Sequence, residues 1–163
     1  TQGVFAVVNM SPVERKMKHV LVLDRIQDPG NLGTMIRTAD AAGFDTVLLG
    51  KGTVDPYNAK AVRATQGSLF HVNVRTVDLL ETLPELKSDG FHVYGTALEK
   101  AKSYDQIDFG DRVALVIGNE AQGVHADVLA LCDTRVHIPM LGDAESLNAA
   151  VAAGILMYRI ALR

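Results

Sequence analysis

The sequence predicts an α/β protein whose mostly parallel sheet is covered by helices on both faces. Short apolar or β-branched runs alternate along the chain with segments of helical periodicity, which is the pattern of strand–helix–strand units. With 163 residues, 48% of them hydrophobic and 21% charged, the chain fits one compact domain with a substantial core. No apolar run approaches the roughly 20 residues that a membrane-spanning helix needs.

The first half of the chain shows repeated strand–helix alternation. Apolar runs predict strands at residues 4–8 and 19–23, and the turn signal Asp28-Pro29-Gly30 follows the second strand. From Asn31, apolar residues at i, i+3 and i+4 predict a helix that Gly43 ends. The pattern then predicts a strand at 46–49, a helix at 59–65, a strand at 70–74 and a helix at 77–87.

The second half continues the alternation. Strands are predicted at residues 91–96, 112–117 and 135–138, with a short helix at 124–131. The run Val-Ala-Leu-Val-Ile before Gly118 is apolar throughout, so we expect this strand to be buried on both faces. A final helix is predicted from residue 146 to residue 162, with Ser146 as its capping residue.

Charge and cysteine content limit the classes of protein. A net charge of −3 and a pI near 5.9 argue against a chain coated in phosphate-binding cations, although local basic groups occur at Arg37 and at Lys60 with Arg63. The lone Cys132 has no partner for an intramolecular disulfide, which favours an inert structural thiol and a reducing, cytoplasmic location. The start at Thr1 lacks both a methionine and a secretion signal, and we interpret it as a cut end.

Three loops after predicted strands are candidates for a ligand site, because open parallel sheets bind ligands at the carboxyl ends of their strands. They span residues 28–39, 117–123 and 138–148. Each also has an ordinary structural interpretation. Asn31 and Ser146 can cap helices, and Arg37 can form surface ion pairs. Glu120 can stand at a helix N-terminus, where the dipole favours an acid.

Several common signatures are missing. The chain has no Gly-x-Gly-x-x-Gly fingerprint and no Walker sequence. It shows no Ser-His-acid set and no paired Cys/His metal spacing, and its five histidines are scattered. We therefore predict that no metal takes part and that these histidines are structural or exposed.

Together, the three loops resemble the three motifs of the SpoU (TrmH-type) family of SPOUT RNA methyltransferases. The motifs read Asn31-x-Gly33-x-x-x-Arg37-Thr38-Ala39, then Ile117-Gly118-Asn119-Glu120-x-x-Gly123, then Ile138-Pro139-Met140 followed by Ser146-Leu147-Asn148. Their order and spacing fit, and the similarity covers nearly the whole chain from about Lys18 onward. Three ordered motifs are much more specific than any one of them.

The resemblance implies a fold and a reaction. Residues 18–163 would form a SPOUT catalytic domain with a C-terminal trefoil knot over about 113–163, a rare topology that periodicity does not reveal. This domain would bind S-adenosylmethionine and methylate a ribose 2′-hydroxyl of RNA. It would form a homodimer that partly buries the apolar face of the last helix. Residues 1–17 would be a linker and first strand at the end of an N-terminal RNA-binding domain, and their similarity to that junction favours rRNA over tRNA.

The resemblance also implies roles for ten residues. The cofactor-binding positions would be Gly118, Ile138, Leu147, Thr96 and Met140. The catalytic and substrate-side positions would be Arg37, Asn31, Glu120, Ser146 and Asn148. The family's arginine is often assigned as the general base. Because a guanidinium stays protonated at ordinary pH, binding the adjacent phosphate and stabilising the developing alkoxide is an equally economical role for Arg37.

Two other readings remain open from the sequence. The chain could be a SPOUT-like dimer that binds RNA or adenosylmethionine without transferring methyl groups, although an intact set of catalytic-type residues argues against this. The acidic pI would also suit a small-molecule enzyme on a flavodoxin-like sheet.

Overall fold

The structure is a computed structural model that describes Gly3 and residues 17–163. The predicted strand at 4–8 lies outside the described residues. The strands are β1 (His19–Asp24), β2 (Thr46–Gly50), β3 (Asn73–Val77), β4 (His92–Thr96), β5 (Lys102–Ser103), β6 (Val113–Gly118) and β7 (Thr134–His137). The helices are α1 (Pro29–Ala41), α2 (Ala59–Thr65), α3 (Leu79–Ser88), α4 (Ala126–Ala130) and α5 (Ala149–Ala161).

These strands form one sheet in the order β3-β2-β1-β6-β4-β7-β5. Every strand pair in it is parallel, and at the centre Leu21 of β1 lies between Val47 of β2 and Leu115 of β6. This confirms the predicted parallel α/β fold. The order differs from the 2-1-3-4-5 arrangement of flavodoxin-like sheets, so the flavodoxin-like reading is wrong.

Helices cover both faces of the sheet, as the fully apolar central strands require. Leu21 and Leu23 of β1 face the core formed with α1 and α5, whereas Val20 and Val22 face the core formed with α3 and α4. All six residues of β1 and all six of β6 are buried. Burial of both faces explains why these strands read as continuous apolar runs and show no alternation.

Helix α1 begins earlier than its apolar stripe indicates. Asp28 is the capping residue, and its carboxylate accepts a hydrogen bond from the Asn31 backbone N–H at 2.8 Å. Pro29 occupies the first turn, where its missing N–H costs nothing. Because Asp28 caps the helix, the Asn31 side chain is available for other contacts.

Other boundaries also differ from the predictions. The strand predicted at 70–74 lies at Asn73–Val77, because the chain first forms a 3-10 turn at Ser68–Phe70. The last helix begins at Ala149, and Asn148 caps it by accepting hydrogen bonds from the backbone N–H groups of residues 150 and 151. The prediction that Ser146 caps this helix is therefore wrong. Asparagine caps as well as serine does, so residue type alone could not decide between them.

Strand β7 lies between β4 and β5, although β4 and β5 are close in sequence and β7 follows much later. The C-terminal part of the chain therefore inserts between two earlier segments. This arrangement is compatible with the knot that the family resemblance implies, and the knot itself stays a prediction.

Cys132 is half-buried beneath β4. Burial raises the pKa of its thiol to about 12, and the sulfur donates to the backbone oxygen of Val128 at 3.4 Å. A thiol that stays protonated is a poor nucleophile, which agrees with the structural role predicted from the sequence. None of the helices in the described part of the chain is both long and apolar enough to cross a membrane.

Candidate active site

A concavity lies at the carboxyl edge of the sheet, where the ends of β4, β6 and β7 meet the start of α5. It is a cavity of about 540 Å³, within the range typical of small-molecule sites. Its lining includes all five residues that the sequence suggests for cofactor binding, namely Thr96, Gly118, Ile138, Met140 and Leu147. Two of the three loops singled out by sequence, 117–123 and 138–148, therefore line this cavity together, whereas loop 28–39 contributes no lining residue.

The floor of the cavity depends on a very close backbone approach at Gly118. A Cβ added there would lie 2.0 Å from the Val124 nitrogen and 2.1 Å from the Gly123 carbonyl carbon. The loop after β6 turns back at once, and the backbone groups of Asn119 and Gly123 pair with each other at 2.9 and 3.1 Å. Only glycine leaves room for this turn.

Asn119 organises the same loop. Its side-chain oxygen accepts hydrogen bonds from the backbone N–H groups of Ala121 and Gln122, and its amide donates to the backbone oxygen of Arg25 at 2.9 Å. Arg25 has a left-handed backbone (φ 57°), and its guanidinium donates to Asp24 and Gln122. The loops after β1 and β6 are thus tied together at several points.

A chain of hydrogen bonds joins three of the predicted catalytic residues. The Asn148 amide donates to the Asn31 side-chain oxygen at 3.0 Å, and the Asn31 amide donates to Glu120 at 3.1 Å. Glu120 also accepts from the backbone N–H groups of Gln27 and Asp28, each at 3.2 Å. These contacts orient both asparagine amides. Glu120 contacts the loop that begins α1 rather than a helix N-terminus of its own.

Glu120 is held as a carboxylate. Its partial burial acts to raise its pKa, but hydrogen bonds from the Asn31 amide and from backbone N–H groups outweigh burial, so the pKa lies below its ordinary value of 4.5. A lowered pKa in the folded state means that folding favours the charged form. Glu120 therefore contributes stability above its ordinary pKa, and that contribution is lost as the pH falls through the folded-state pKa.

Substitution Glu120→Gln tests this linkage. We expect the variant to be less stable than the unsubstituted protein above pH 4.5 and the difference to shrink as the pH falls further. Denaturant unfolding across a series of pH values measures it. The matched control is Glu85→Gln, which changes an exposed carboxylate on α3. A stability difference for Glu120→Gln that stays constant with pH would contradict the assignment.

The remaining two predicted catalytic residues do not belong to this chain of hydrogen bonds. Ser146 lines the cavity and is exposed. Arg37 is exposed on the outer face of α1 and does not line the cavity. Within one copy of the chain, the structure brings Glu120 and Ser146 to the cavity, joins Asn31 and Asn148 to Glu120, and leaves Arg37 outside.

Several residues of the cavity were not predicted from the sequence. Among them are Leu98 and Glu99 after β4, Arg135 and His137 of β7, and Glu145. They lie outside the residues of the three motifs, and only the tertiary arrangement brings them together. Asn119 did carry a signal, because an asparagine directly before a short loop commonly accepts backbone hydrogen bonds.

Charge at the cavity is biased toward acid. Glu99, Glu120 and Glu145 line it against the single arginine Arg135. Within residues 17–163, no cluster of three or more His, Cys, Asp or Glu side chains is placed to hold a metal ion.

An all-parallel sheet with a loop-built cavity at its carboxyl edge is the arrangement in which open α/β proteins bind their ligands. The sequence profile of the SpoU rRNA Methylase family matches residues 18–158. The chain belongs to this family, and the resemblance drawn from the three motifs is confirmed.

Individual relatives agree with the family assignment. The chain is 49% identical over 161 residues to the 23S rRNA (guanosine(2553)-2′-O)-methyltransferase RlmP of Bacillus subtilis. The aligned region covers 98% of this chain and 64% of that protein. It resembles the crystal structure of an AdoMet-bound rRNA methyltransferase from Sinorhizobium meliloti with a TM-score of 0.86 at 35% identity, covering 93% of this chain and 60% of that one.

A third relative is the SpoU methyltransferase AviRb from Streptomyces viridochromogenes in complex with AdoMet. It matches with a TM-score of 0.82 at 31% identity, covering 96% of this chain and 62% of that one. The chain spans less than two thirds of the length of the curated relatives it matches, for example 64% and 63%.

Proposed function

We propose that this chain is the catalytic domain of an enzyme that transfers a methyl group from S-adenosylmethionine to a ribose 2′-hydroxyl of RNA. The observation that carries the proposal is the convergence of Thr96, Gly118, Ile138, Met140 and Leu147 on one cavity. Membership of the SpoU rRNA Methylase family and two relatives solved with AdoMet support it.

The cavity suits this cofactor chemically. Ile117, Ile138, Met140 and Leu147 give it apolar walls against which an adenine ring is desolvated, while loop backbone groups supply polar contacts. The excess of glutamates at the cavity suits a ligand that carries both a sulfonium and an ammonium group. When bound, the cofactor supplies an electrophilic methyl group.

In this reaction the protein aligns the reactants and assists removal of the proton, and it forms no covalent intermediate. The ribose oxygen forms the new bond to the methyl carbon as the carbon–sulfur bond breaks, and the hydroxyl proton leaves. Asn31 and Asn148 orient the ribose through their amides; Glu120 accepts from the Asn31 amide, and Asn31 accepts from the Asn148 amide. Ser146, at the cavity lining, contributes a further polar contact on the substrate side.

Arg37 binds the phosphate beside the target nucleotide and stabilises the developing alkoxide, with phosphate or water taking the proton. A guanidinium suits this role because it stays protonated and presents two parallel donors to phosphate. Its place outside the cavity in a single copy requires that another copy bring it to the reacting atoms.

We therefore propose a homodimer formed through α5 and the flank of α1 around Thr38 that lies against α5. Val151, Tyr158 and Leu162 are 51%, 43% and 79% exposed, and with Ile155 they form one apolar stripe at i, i+4, i+7 and i+11. An apolar stripe of this length is typical of a protein interface. Because Thr38 of α1 lies against Gly154 of α5, burial of this stripe would place Arg37 beside the partner's surface.

Val151→Asp is expected to shift the protein from dimer to monomer. The new carboxylate would be buried in the interface without a partner, whereas the first turn of α5 accepts an acid well in the monomer. Light scattering coupled to size exclusion measures the change. Val62→Asp, on the exposed face of α2, is the matched control and should leave the mass unchanged. A dimeric Val151→Asp variant would overturn this interface.

The proposed activity is tested with the intact protein, labelled S-adenosylmethionine and RNA. We expect saturable heat on titration with the cofactor and label at the 2′-oxygen of the RNA. Cofactor binding with no label transferred would favour a binding protein without catalysis. Absence of any cofactor binding would remove the proposal.

Three narrower features are also proposals. Ribosomal RNA is favoured as substrate because the relative at 49% identity is named for 23S rRNA. A cytoplasmic location follows from that substrate. Residues 1–17 are proposed to be the end of an N-terminal RNA-binding domain, with residues 18–163 as the catalytic domain.

A further inference from the structure

We infer that α2, the 3-10 turn after it and the outer face of α1 bind unpaired nucleotides next to the target ribose. This surface is defined by Arg37, Lys60, Arg63 and Phe70 and is called the α1–α2 surface below. The inference rests on the proposed function, because it identifies how the RNA substrate would approach the catalytic arginine.

Three contacts show that the chain from α2 onward runs along α1 in the same direction. The Lys60 ammonium lies 2.9 Å from Asp28, at the start of α1. Midway, Gly33 lies so close to α2 that an added Cβ would be 2.4 Å from the Ala61 oxygen. Near the end of α1, Asp40 lies 3.0 Å from the His71 ring.

This register places Phe70 and Arg63 beside Arg37. Arg37 lies between Gly33 and Asp40 on α1, one turn from Gly33 and on the same side of the helix. In the sequence, Phe70 lies between Ala61, which contacts Gly33, and His71, which contacts Asp40. Arg63 follows Lys60 by three residues and so projects from the same flank of α2.

The surface carries cations that acidic neighbours do not neutralise. Asp28 is ion-paired with Lys60, and Asp40 is hydrogen-bonded to the His71 ring. Arg37 and Arg63 form no ion pair with any residue that the structure describes. In a chain whose net charge is −3, two unneutralised arginines on one surface mark a place that suits phosphate.

Phe70 supplies the second element of the recognition. Its side chain is 61% exposed within a 3-10 turn whose neighbour Ser68 is buried, so the ring projects into water from a supported segment. Exposed aromatic rings beside arginines are the usual platform for stacking unpaired bases. A duplex, whose bases are already stacked, would gain little from such a ring.

The occupant is therefore a single-stranded RNA segment whose phosphates contact Arg63 and Arg37 and one of whose bases stacks on Phe70. The expected arrangement places the nucleotide on Phe70 next to the one that is methylated, since Arg37 binds the phosphate at the reacting ribose. Substrate preference would then include an unpaired flank.

The test uses the intact protein and a fluorescein-labelled oligouridylate of about 12 nucleotides, a length within the usual range for single-strand sites. Anisotropy is measured over a salt series for Phe70→Ala and Arg63→Gln. The matched controls are Leu80→Ala, another exposed apolar side chain but on α3, and Lys102→Gln, on the strand at the far edge of the sheet.

We expect Phe70→Ala to weaken binding by about 5- to 50-fold without changing the salt slope. Arg63→Gln should weaken binding at low salt and reduce the slope by about 0.7. Both controls should match the unsubstituted protein, and a hairpin duplex should show no effect of Phe70→Ala.

Unchanged oligouridylate binding in both variants would overturn the inference and would leave the surface available for a protein partner. Equal losses in the controls would also overturn it. Because the assay contains no cofactor, its outcome is separate from the proposed function, which fails if S-adenosylmethionine does not bind to the protein.

Discussion

Replacement of Arg37 by alanine is expected to lower the rate of methyl transfer by about 10²- to 10³-fold or more, into the range that removal of a charge-stabilising group produces. The cofactor affinity should stay within a few-fold of that of the unsubstituted protein, because Arg37 does not line the cavity. Single-turnover kinetics with labelled cofactor measures the first quantity, and calorimetry measures the second.

Two controls separate a chemical role from a structural one. Arg112→Ala removes an arginine at the opposite edge of the sheet, where it stacks on Phe91, and should leave methyl transfer nearly unchanged. Light scattering of Arg37→Ala shows whether the dimer persists. Normal turnover in the Arg37 variant would remove this residue from the mechanism, and lost cofactor binding would place its role in the cavity instead.

Gly118→Ala is expected to destabilise the protein and to abolish tight cofactor binding. The added methyl group would lie 2.0 Å from a backbone nitrogen and 2.1 Å from a backbone carbon, and neither can move without displacing the loop. We expect a loss of about 3 kcal/mol of stability, at the upper end for overpacking. If the loop moves by about 1 Å, we also expect the rate of methyl transfer to fall by about 10²-fold.

The chain offers a matched control for this substitution. Gly110 lies in the exposed segment before β6, and nothing lies within 4 Å of a Cβ added there. Gly110→Ala should therefore keep the melting temperature and the cofactor affinity of the unsubstituted protein. Thermal unfolding and calorimetry measure both variants. If Gly118→Ala matches Gly110→Ala in both measurements, the close approach at Gly118 does not shape the cavity.

The central part of the fold was predictable because its physical signals are local. The apolar runs of β1 and β6 require burial on both faces, and the α1 stripe requires a core beneath it. Edge elements were predicted less well. The two residues of β5 carry too little periodicity to be recognised, and the half-exposed β3 lacks a clear alternation, so its start was placed three residues early.

The site was predictable to the extent that its residues occur in short motifs. Asn31, Glu120 and Asn148 lie far apart in sequence, but a single chain of hydrogen bonds joins them. Sequence spacing identified these residues but not the order in which they are hydrogen-bonded. The position of Arg37 outside the cavity depends on how α1 packs against α5, which only the tertiary structure shows.

The pairing of β1 with β6 has a consequence for how the chain folds. These two strands form the middle of the sheet, yet one comes from the first residues of the described domain and the other from its last third. Non-local pairings of this kind slow folding because a large loop must close first. During synthesis, β1 therefore leaves the ribosome long before its central neighbour does, and the nascent polypeptide must keep that apolar edge from aggregating until β6 has also emerged.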